Sequence, residues 1–208
     1  MRQAILSIGP LLLAVLFLGC SANAPEQAAA TEPATPSAAP AATASEAQTP
    51  APTQQGEFSV SSSGIADGVI ADAFGARGEQ TAQRGVPSRS FALSFQNIPQ
   101  GTACLALSMI DPDGGDWVHW LAAGIPAADL PENASVDLAG SMAQGQNSFG
   151  FTGYGGPTPP SGTHSYVVTV YALDEPVDLE NGFSLEAFLQ AIDGKVLASA
   201  VLTGDYSR

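Results

Sequence analysis

The chain has 208 residues, with 20 acidic and 6 basic side chains and a formal net charge of −14. Nucleic-acid binding depends on clustered Lys and Arg that neutralise phosphates, so this composition excludes a nucleic-acid-binding surface. An anion is expected to bind only in a local pocket that works against the overall charge. Two cysteines are too few for a disulfide framework.

The first 19 residues have the pattern of a signal peptide, because Arg2 precedes an apolar run over residues 10–18. A transmembrane helix needs about 20 apolar residues, more than this run supplies. Residues 17–20 (Phe-Leu-Gly-Cys) resemble a bacterial lipobox, although Phe17 stands where Leu is usual. We expect export to the cell envelope, with a lipid on Cys20 as the membrane anchor. The alternative is ordinary cleavage near Cys20, which yields a free soluble protein.

The segment after Cys20 differs sharply in composition from the rest of the chain. Residues 21–56 contain 13 Ala, 6 Pro and 8 Ser or Thr. They include no large apolar side chain, so burial cannot offset the entropy of ordering them. Residues 20–56 are therefore predicted to be a lipidated cysteine followed by a disordered tether, with an end-to-end distance of about 30–36 Å.

Residues 57–208 have 17 acidic and 5 basic side chains, a formal charge of −12, and are long enough for one sizeable core. Apolar runs with strand periodicity predict strands over residues 58–61, 90–95, 103–110, 119–125 and 166–173. Cys104 is expected to be buried in one of them. Residues 127–164 are rich in Gly, Pro and Asn, which predicts a long ordered loop region.

One helix is signalled near the C-terminus by the apolar stripe Leu185, Phe188, Leu189 and Ile192. Ser184 is the predicted N-cap, Phe183 is expected to pack on Phe188, and Gly194 is expected to end the helix. Residues 196–202 fit either a strand or a second helix. We therefore predict a mainly β fold, an antiparallel β-sandwich with one or two peripheral α-helices near the C-terminus.

Residues suited to binding chemistry occur in three segments. Asp111-Pro112-Asp113 follows a buried strand, His119 lies in the next strand, and residues 147–166 form a Gly- and Pro-rich loop that contains His164. Taken alone, these segments fit a turn, a packed core histidine and an ordinary loop. Together, a strand-end carboxylate and the chain's two imidazoles predict one polar pocket.

Further motifs follow: Phe149-Gly150, Gly153-Tyr154-Gly155-Gly156-Pro157, Ser161-Gly162-Thr163-His164, Tyr171-Ala172-Leu173-Asp174 and Gly194-Lys195-Val196-Leu197-Ala198. In this order they resemble the phosphatidylethanolamine-binding protein family, in particular its bacterial Raf-kinase-inhibitor-like YbhB/YbcL branch. The resemblance implies an antiparallel β-sandwich with a small anion pocket for phosphate or a phosphorylated head group. The ligand-binding residues that it implies are Asp111, His119, His164 and Tyr166, with Gly155, Gly156 and Pro160 at the rim.

The side-chain chemistry agrees with an anion pocket. The two imidazoles and the Tyr166 hydroxyl donate hydrogen bonds suited to phosphate oxygens, and the N–H groups of Gly155 and Gly156 are expected to form an anion-binding nest. Asp111 is expected to fix a histidine tautomer, or to accept from an ammonium group or a protonated phosphate.

Four positions depart from the family pattern. Gly114-Gly115 replaces Ala-Pro, Thr158 replaces Cys, and Ser165 replaces an Arg, which removes a positive charge near the expected pocket.

Three functions remain open at this point. The first is that of a membrane-tethered protein that binds a small anionic ligand and modulates a protein partner. The second is a hydrolase or metal-dependent enzyme that uses Asp111, His119 and His164, with Ser161 as a nucleophile. Ser161 lacks the nucleophile-elbow motif, and the histidine spacing matches no helical metal motif, so we expect no catalytic residue, metal or cofactor. The third is an exported interaction protein with a vestigial pocket.

Overall fold

The computed structural model describes residues 56–208, so the predicted signal peptide, Cys20 and the tether up to residue 55 lie outside the described part. Its strands are β1 Ser59–Ser61, β2 Ile65–Ala66, β3 Val69–Ile70, β4 Ser94–Gln96, β5 Cys104–Asp111, β6 Trp117–Ile125, β7 Ala143–Gln144, β8 Thr163–Leu173 and β9 Val196–Ser207. Its α-helices are α1 Ala134–Asp137 and α2 Leu185–Ile192. No helix within residues 56–208 has the length and hydropathy that a membrane span requires.

The strands form two sheets. Seven of them are ordered β2-β3-β9-β8-β5-β6-β7, and β1 pairs separately with β4. Neighbouring strands are antiparallel except β3 and β9, which are parallel. The predicted mainly β, sandwich-like fold with few helices is confirmed, with one of the two helices near the C-terminus.

Apolar side chains cover both faces of the central strands. Leu105, Leu107 and Met109 of β5 are fully buried in one hydrophobic cluster, together with Trp120. Ala106 of the same strand belongs to a second cluster on the opposite face. A strand covered on both faces needs apolar side chains at successive positions, which explains the nearly continuous apolar run of β5.

Helix α2 forms the cover of the second cluster. Ser184 caps it by accepting a hydrogen bond from the Ala187 N–H (3.1 Å), and the rings of Phe183 and Phe188 stack with centroids 6.0 Å apart. The predicted helix and its N-cap are confirmed. Leu189, predicted to lie on the buried stripe, is 49% exposed because it faces away from the sheet.

Three details differ from the sequence-based expectation or resolve it. Residues 196–207 form a strand, because β9 pairs with β8 along its full length. The loop region over 127–164 contains the short elements α1 and β7. The predicted strand over residues 90–95 has a ladder only from Ser94, since Leu93 bridges Leu130 in a neighbouring loop instead.

The packing of α2 predicts opposite outcomes for two adjacent apolar residues. Phe188→Ala is expected to lower the free energy of unfolding by about 3–5 kcal/mol, because a fully buried ring leaves a cavity. Leu189→Ala, the matched control, is expected to change it by less than about 1 kcal/mol because the side chain is half exposed. Urea titrations of both variants measure this difference, and equal losses would contradict the orientation of α2.

Candidate ligand-binding pocket

Strand periodicity brings Asp111, His164 and Tyr166 to one end of the same sheet face. Side chains two residues apart share a face, so Asp111 continues the row of buried β5 residues that ends with Met109. Strand β8 is the antiparallel neighbour, with Ile110 paired to Val167, and this register places Tyr166 and His164 beside Asp111. The site therefore follows from the alternation that also builds the core.

A β-bulge places His119 on the same face. The pairs Met109–Trp120 and Ile110–Val118 leave His119 as an extra residue in β6. A bulge interrupts strict alternation and redirects a side chain. The His119 ring consequently meets the Tyr166 ring edge to face, with centroids 4.9 Å apart.

These side chains line a pocket of about 460 Å³. Five predicted site residues line it: Asp111, His119, Pro160, His164 and Tyr166. Five others were not predicted as ligand-binding residues: Asp113, Gly114, Trp117, Phe149 and Thr158. Each of these lies within or next to a motif that the sequence analysis singled out, so proximity to those motifs was the available signal.

Asp111 and His164 form a partly buried pair at the side of the pocket. The His164 Nδ1 lies 2.7 Å from Asp111 Oδ2, and Asp111 Oδ1 accepts a hydrogen bond from the Gly114 N–H at 2.8 Å. Since a carboxylate only accepts, Nδ1 of His164 carries the hydrogen. Asp111 thereby fixes the His164 tautomer, and Nε2 becomes a second donor when the ring is protonated.

His119 has the opposite character. It is 2% exposed, and its Nδ1 donates to the Gly155 carbonyl oxygen at 2.5 Å. Burial lowers the pKa of His119 to about 4, against the weaker opposing effects of Gly155 and the Asp111 charge. The ring is therefore neutral near pH 7, with its hydrogen on Nδ1 and an accepting lone pair on Nε2.

Tyr166 has an unpaired hydroxyl. Its side chain is fully buried and lines the pocket, yet the hydroxyl has no hydrogen-bond partner among the described residues. Burial raises the pKa of this phenol, and the nearby Asp111 carboxylate raises it further. Tyr166 is therefore a protonated donor at neutral pH, and buried donors of this kind normally have a partner.

The two glycines predicted at the rim have a different role. The Gly155 N–H donates to the His119 carbonyl oxygen (2.8 Å) and the Gly156 N–H to the Pro87 carbonyl oxygen (2.7 Å). The prediction of an anion-binding nest is wrong, because both amide N–H groups already donate to carbonyl oxygens inside the protein. A Cβ on Gly155 would lie 2.6 Å from the Phe149 ring, so the glycine instead allows close packing beside the pocket.

Asn147 holds the loop that carries Phe149. Its side-chain Nδ2 donates to the Gly153 carbonyl oxygen at 2.8 Å, and its Oδ1 accepts from the Phe149 N–H at 3.1 Å. Phe149 in turn packs edge to face against both His119 and Trp117. Asn147 therefore fixes the aromatic wall of the pocket, with Trp117 at its exposed edge.

Within residues 56–208, the residues considered for an enzyme do not form a nucleophilic or metal site. Ser161 is exposed and does not line the pocket. No group of three or more His, Cys, Asp or Glu among the described residues is placed to hold a metal ion. Cys104 is buried in β5 with a free thiol, on the face that α2 covers.

Comparison with known proteins assigns the family. The family model described as phosphatidylethanolamine-binding protein matches residues 60–207. The chain belongs to the phosphatidylethanolamine-binding protein family. The resemblance of its motifs is thereby confirmed at the level of the family.

Similar proteins come from bacteria and archaea. The uncharacterised protein YxkA of Bacillus subtilis is 41% identical over 138 residues, which cover 58% of this chain and 82% of YxkA. A UPF0098 protein of Methanothermobacter thermautotrophicus is 42% identical over 122 residues, which cover 56% of this chain and 81% of that protein.

Two solved structures are similar in fold to this chain. Escherichia coli YbcL, described as a member of the mammalian PEBP family, has a TM-score of 0.64 at 28% identity and covers 74% of this chain and 99% of its own. The Chlamydia trachomatis PEBP homolog CT736 has a TM-score of 0.62 at 30% identity, with 73% and 98% covered.

The burial of His119 predicts a specific loss of stability in acid. The unfolded chain takes up a proton at this residue near pH 6.5, whereas the folded protein does so only near pH 4. The folded state therefore binds fewer protons between these values, and its stability falls as the pH falls through them, by about 3 kcal/mol below pH 4.

Urea titrations of the protein and of His119→Gln at pH 7 and pH 4.5 measure this effect. The glutamine variant is expected to lose less stability on acidification, because it has no imidazole to protonate. An equal loss in both proteins would show that His119 does not titrate with a lowered pKa.

Proposed function

We propose that this protein binds a phosphate monoester or a phosphorylated head group in the pocket, and that it is exported and anchored to a membrane by a lipid on Cys20. The unpaired, buried hydroxyl of Tyr166 carries the first part of the proposal. A buried donor without a partner costs about 1–3 kcal/mol, which a ligand oxygen accepting from it recovers.

The polar groups around Tyr166 match a phosphate that retains one proton. Tyr166 donates through its hydroxyl, and Asp111 holds the Nδ1 hydrogen of His164, which leaves Nε2 of that ring available to a ligand. Neutral His119 accepts through Nε2. A hydroxyl donor beside two imidazole Nε2 atoms suits a phosphate monoester that retains one proton, because such a group has both accepting oxygens and one hydroxyl.

The pocket also disfavours a fully ionised phosphate. Two carboxylates, Asp111 and Asp113, line it together with the two imidazoles, and no Lys or Arg of residues 56–208 does. These carboxylates repel a negative ligand, so the bound phosphate group is expected to be the singly charged form. Binding of inorganic phosphate should therefore strengthen as the pH falls from 8 to 6.

The finer assignments rest on sequence motifs. We place the chain in the Raf-kinase-inhibitor-like YbhB/YbcL branch because of the long motif over residues 147–166 and the similarity to YbcL. A lipid on Cys20 would keep the binding domain close to a membrane surface. Modulation of a protein partner is a further role compatible with a ligand-dependent surface.

Replacement of Tyr166 by Phe separates binding from stability. Tyr166→Phe is expected to weaken phosphoethanolamine binding by about 10- to 100-fold, because a hydrogen bond to a charged group is lost. The free energy of unfolding without ligand should stay equal or rise, since an unpaired buried hydroxyl disappears. Calorimetric titration and urea unfolding measure the two effects.

Tyr171→Phe is the matched control, because Tyr171 lies on the opposite sheet face and packs against Phe188. It should bind phosphoethanolamine as the parent does. Unchanged binding in Tyr166→Phe would contradict the assignment of the pocket to phosphate. Absence of binding in the parent protein would favour an interaction protein with a vestigial pocket instead.

The membrane anchor has its own test. Mass spectrometry of the protein purified from membranes is expected to show an N-terminal peptide that begins at Cys20 and carries acyl chains. Cys20→Ser should remove the acyl mass and release the protein from the membrane fraction. A peptide that begins elsewhere without added mass contradicts lipidation.

A further inference from the structure

The end of strand β9 places one arginine beside the pocket. Ser207 pairs with Thr163 at the last position of the β8–β9 ladder, and the Arg208 N–H donates to the Gly162 carbonyl oxygen at 3.0 Å. The Arg208 guanidinium then donates through Nη1 to the carbonyl oxygen of Pro160. Because Pro160 lines the pocket, Arg208 contacts a residue of its rim.

The other cationic side chains of residues 56–208 make no hydrogen bond to a residue that lines the pocket. Arg77 pairs with Asp72, and Arg89 pairs with Glu132. Arg84 lies in a short helical turn and Lys195 precedes the first residue of β9. Among the Lys and Arg residues at positions 56–208, only Arg208 therefore hydrogen-bonds a residue that lines the pocket.

The guanidinium of Arg208 has unused capacity for an anion. It carries five N–H donors, of which the recorded contact with Pro160 uses one. It forms no ion pair with a carboxylate among residues 56–208. Its side chain is exposed, so the remaining donors are open to solvent.

We propose that Arg208 is a specificity-determining residue that favours phosphorylated ligands with a second negative group outside the buried phosphate. This inference rests on the proposed binding function, because the phosphate must first occupy the position between Tyr166 and the imidazoles. The second group then extends toward the Pro160 rim. A planar guanidinium recognises carboxylate or phosphate oxygens there through paired hydrogen bonds.

Two ligands of equal length and opposite tail charge test the proposal. Phosphoglycolate ends in a carboxylate and phosphoethanolamine ends in an ammonium group, and the phosphate is common to both. The measured quantity is the ratio of their dissociation constants in the full chain. Arg208→Gln is expected to shift this ratio by about two- to fivefold in favour of phosphoethanolamine, the size typical of an exposed ion pair.

Two further variants separate this role from simple loop anchoring or overall charge. Arg208→Lys keeps the charge and should keep most of the ratio. Lys195→Gln removes the same charge at the opposite end of the 12-residue strand β9, about 40 Å away, and should leave the ratio unchanged. Salt screens an exposed ion pair, so added salt should shift the ratio in the parent protein toward phosphoethanolamine. It should have little effect on the ratio in Arg208→Gln.

Each outcome is decisive. If both ligands bind and Arg208→Gln weakens them equally, Arg208 only holds the rim loop and the inference is wrong. If Lys195→Gln shifts the ratio as much as Arg208→Gln, the effect is one of overall charge and the inference is also wrong. If the parent binds neither ligand nor inorganic phosphate, the proposed function itself fails.

Discussion

The antiparallel pairing of β5 with β8 is the constraint on which the pocket depends. Its register, with Ile110 opposite Val167, aligns the last inward-facing position of one strand with the first inward-facing positions of the other. The hydrogen bond of 2.7 Å between Asp111 and His164 closes this end of the core. A shift of one residue would turn these side chains to the opposite face, so core and pocket are specified together.

Within this frame, the tautomer or protonation state of three polar side chains in the pocket is fixed by a different neighbour or environment in each case. Burial keeps His119 neutral, a carboxylate fixes the tautomer of His164, and burial with a nearby negative charge keeps Tyr166 protonated. The site thus combines a hydroxyl donor with imidazole nitrogens, and no Lys or Arg of residues 56–208 lines it. Such a site distinguishes ligands by their hydrogen-bonding pattern more than by charge alone, which suits a protein whose surface is strongly acidic.

Much of this arrangement was predictable from the sequence, and the failures have physical causes. Strand periodicity and helix capping are local, so β5, β8 and α2 were found. Asp111, His119 and His164 followed from the chemistry of their segments, and Pro160 and Tyr166 from the family resemblance. The bulge at His119 depends on how two strands pair, and the role of Gly155 depends on which carbonyl meets its amide. The contact of Arg208 with Pro160 joins residues 48 positions apart, and no local pattern signals it.

The most direct test of the binding account is a ¹⁵N NMR titration of the two imidazole rings with inorganic phosphate at pH 7. Without ligand, His119 should show the spectrum of a neutral ring with its hydrogen on Nδ1. Phosphate should then cause saturable shifts at both rings, and Tyr166→Phe should weaken them. Rings that stay unchanged across millimolar phosphate, or a His119 that is charged at pH 7, would contradict it.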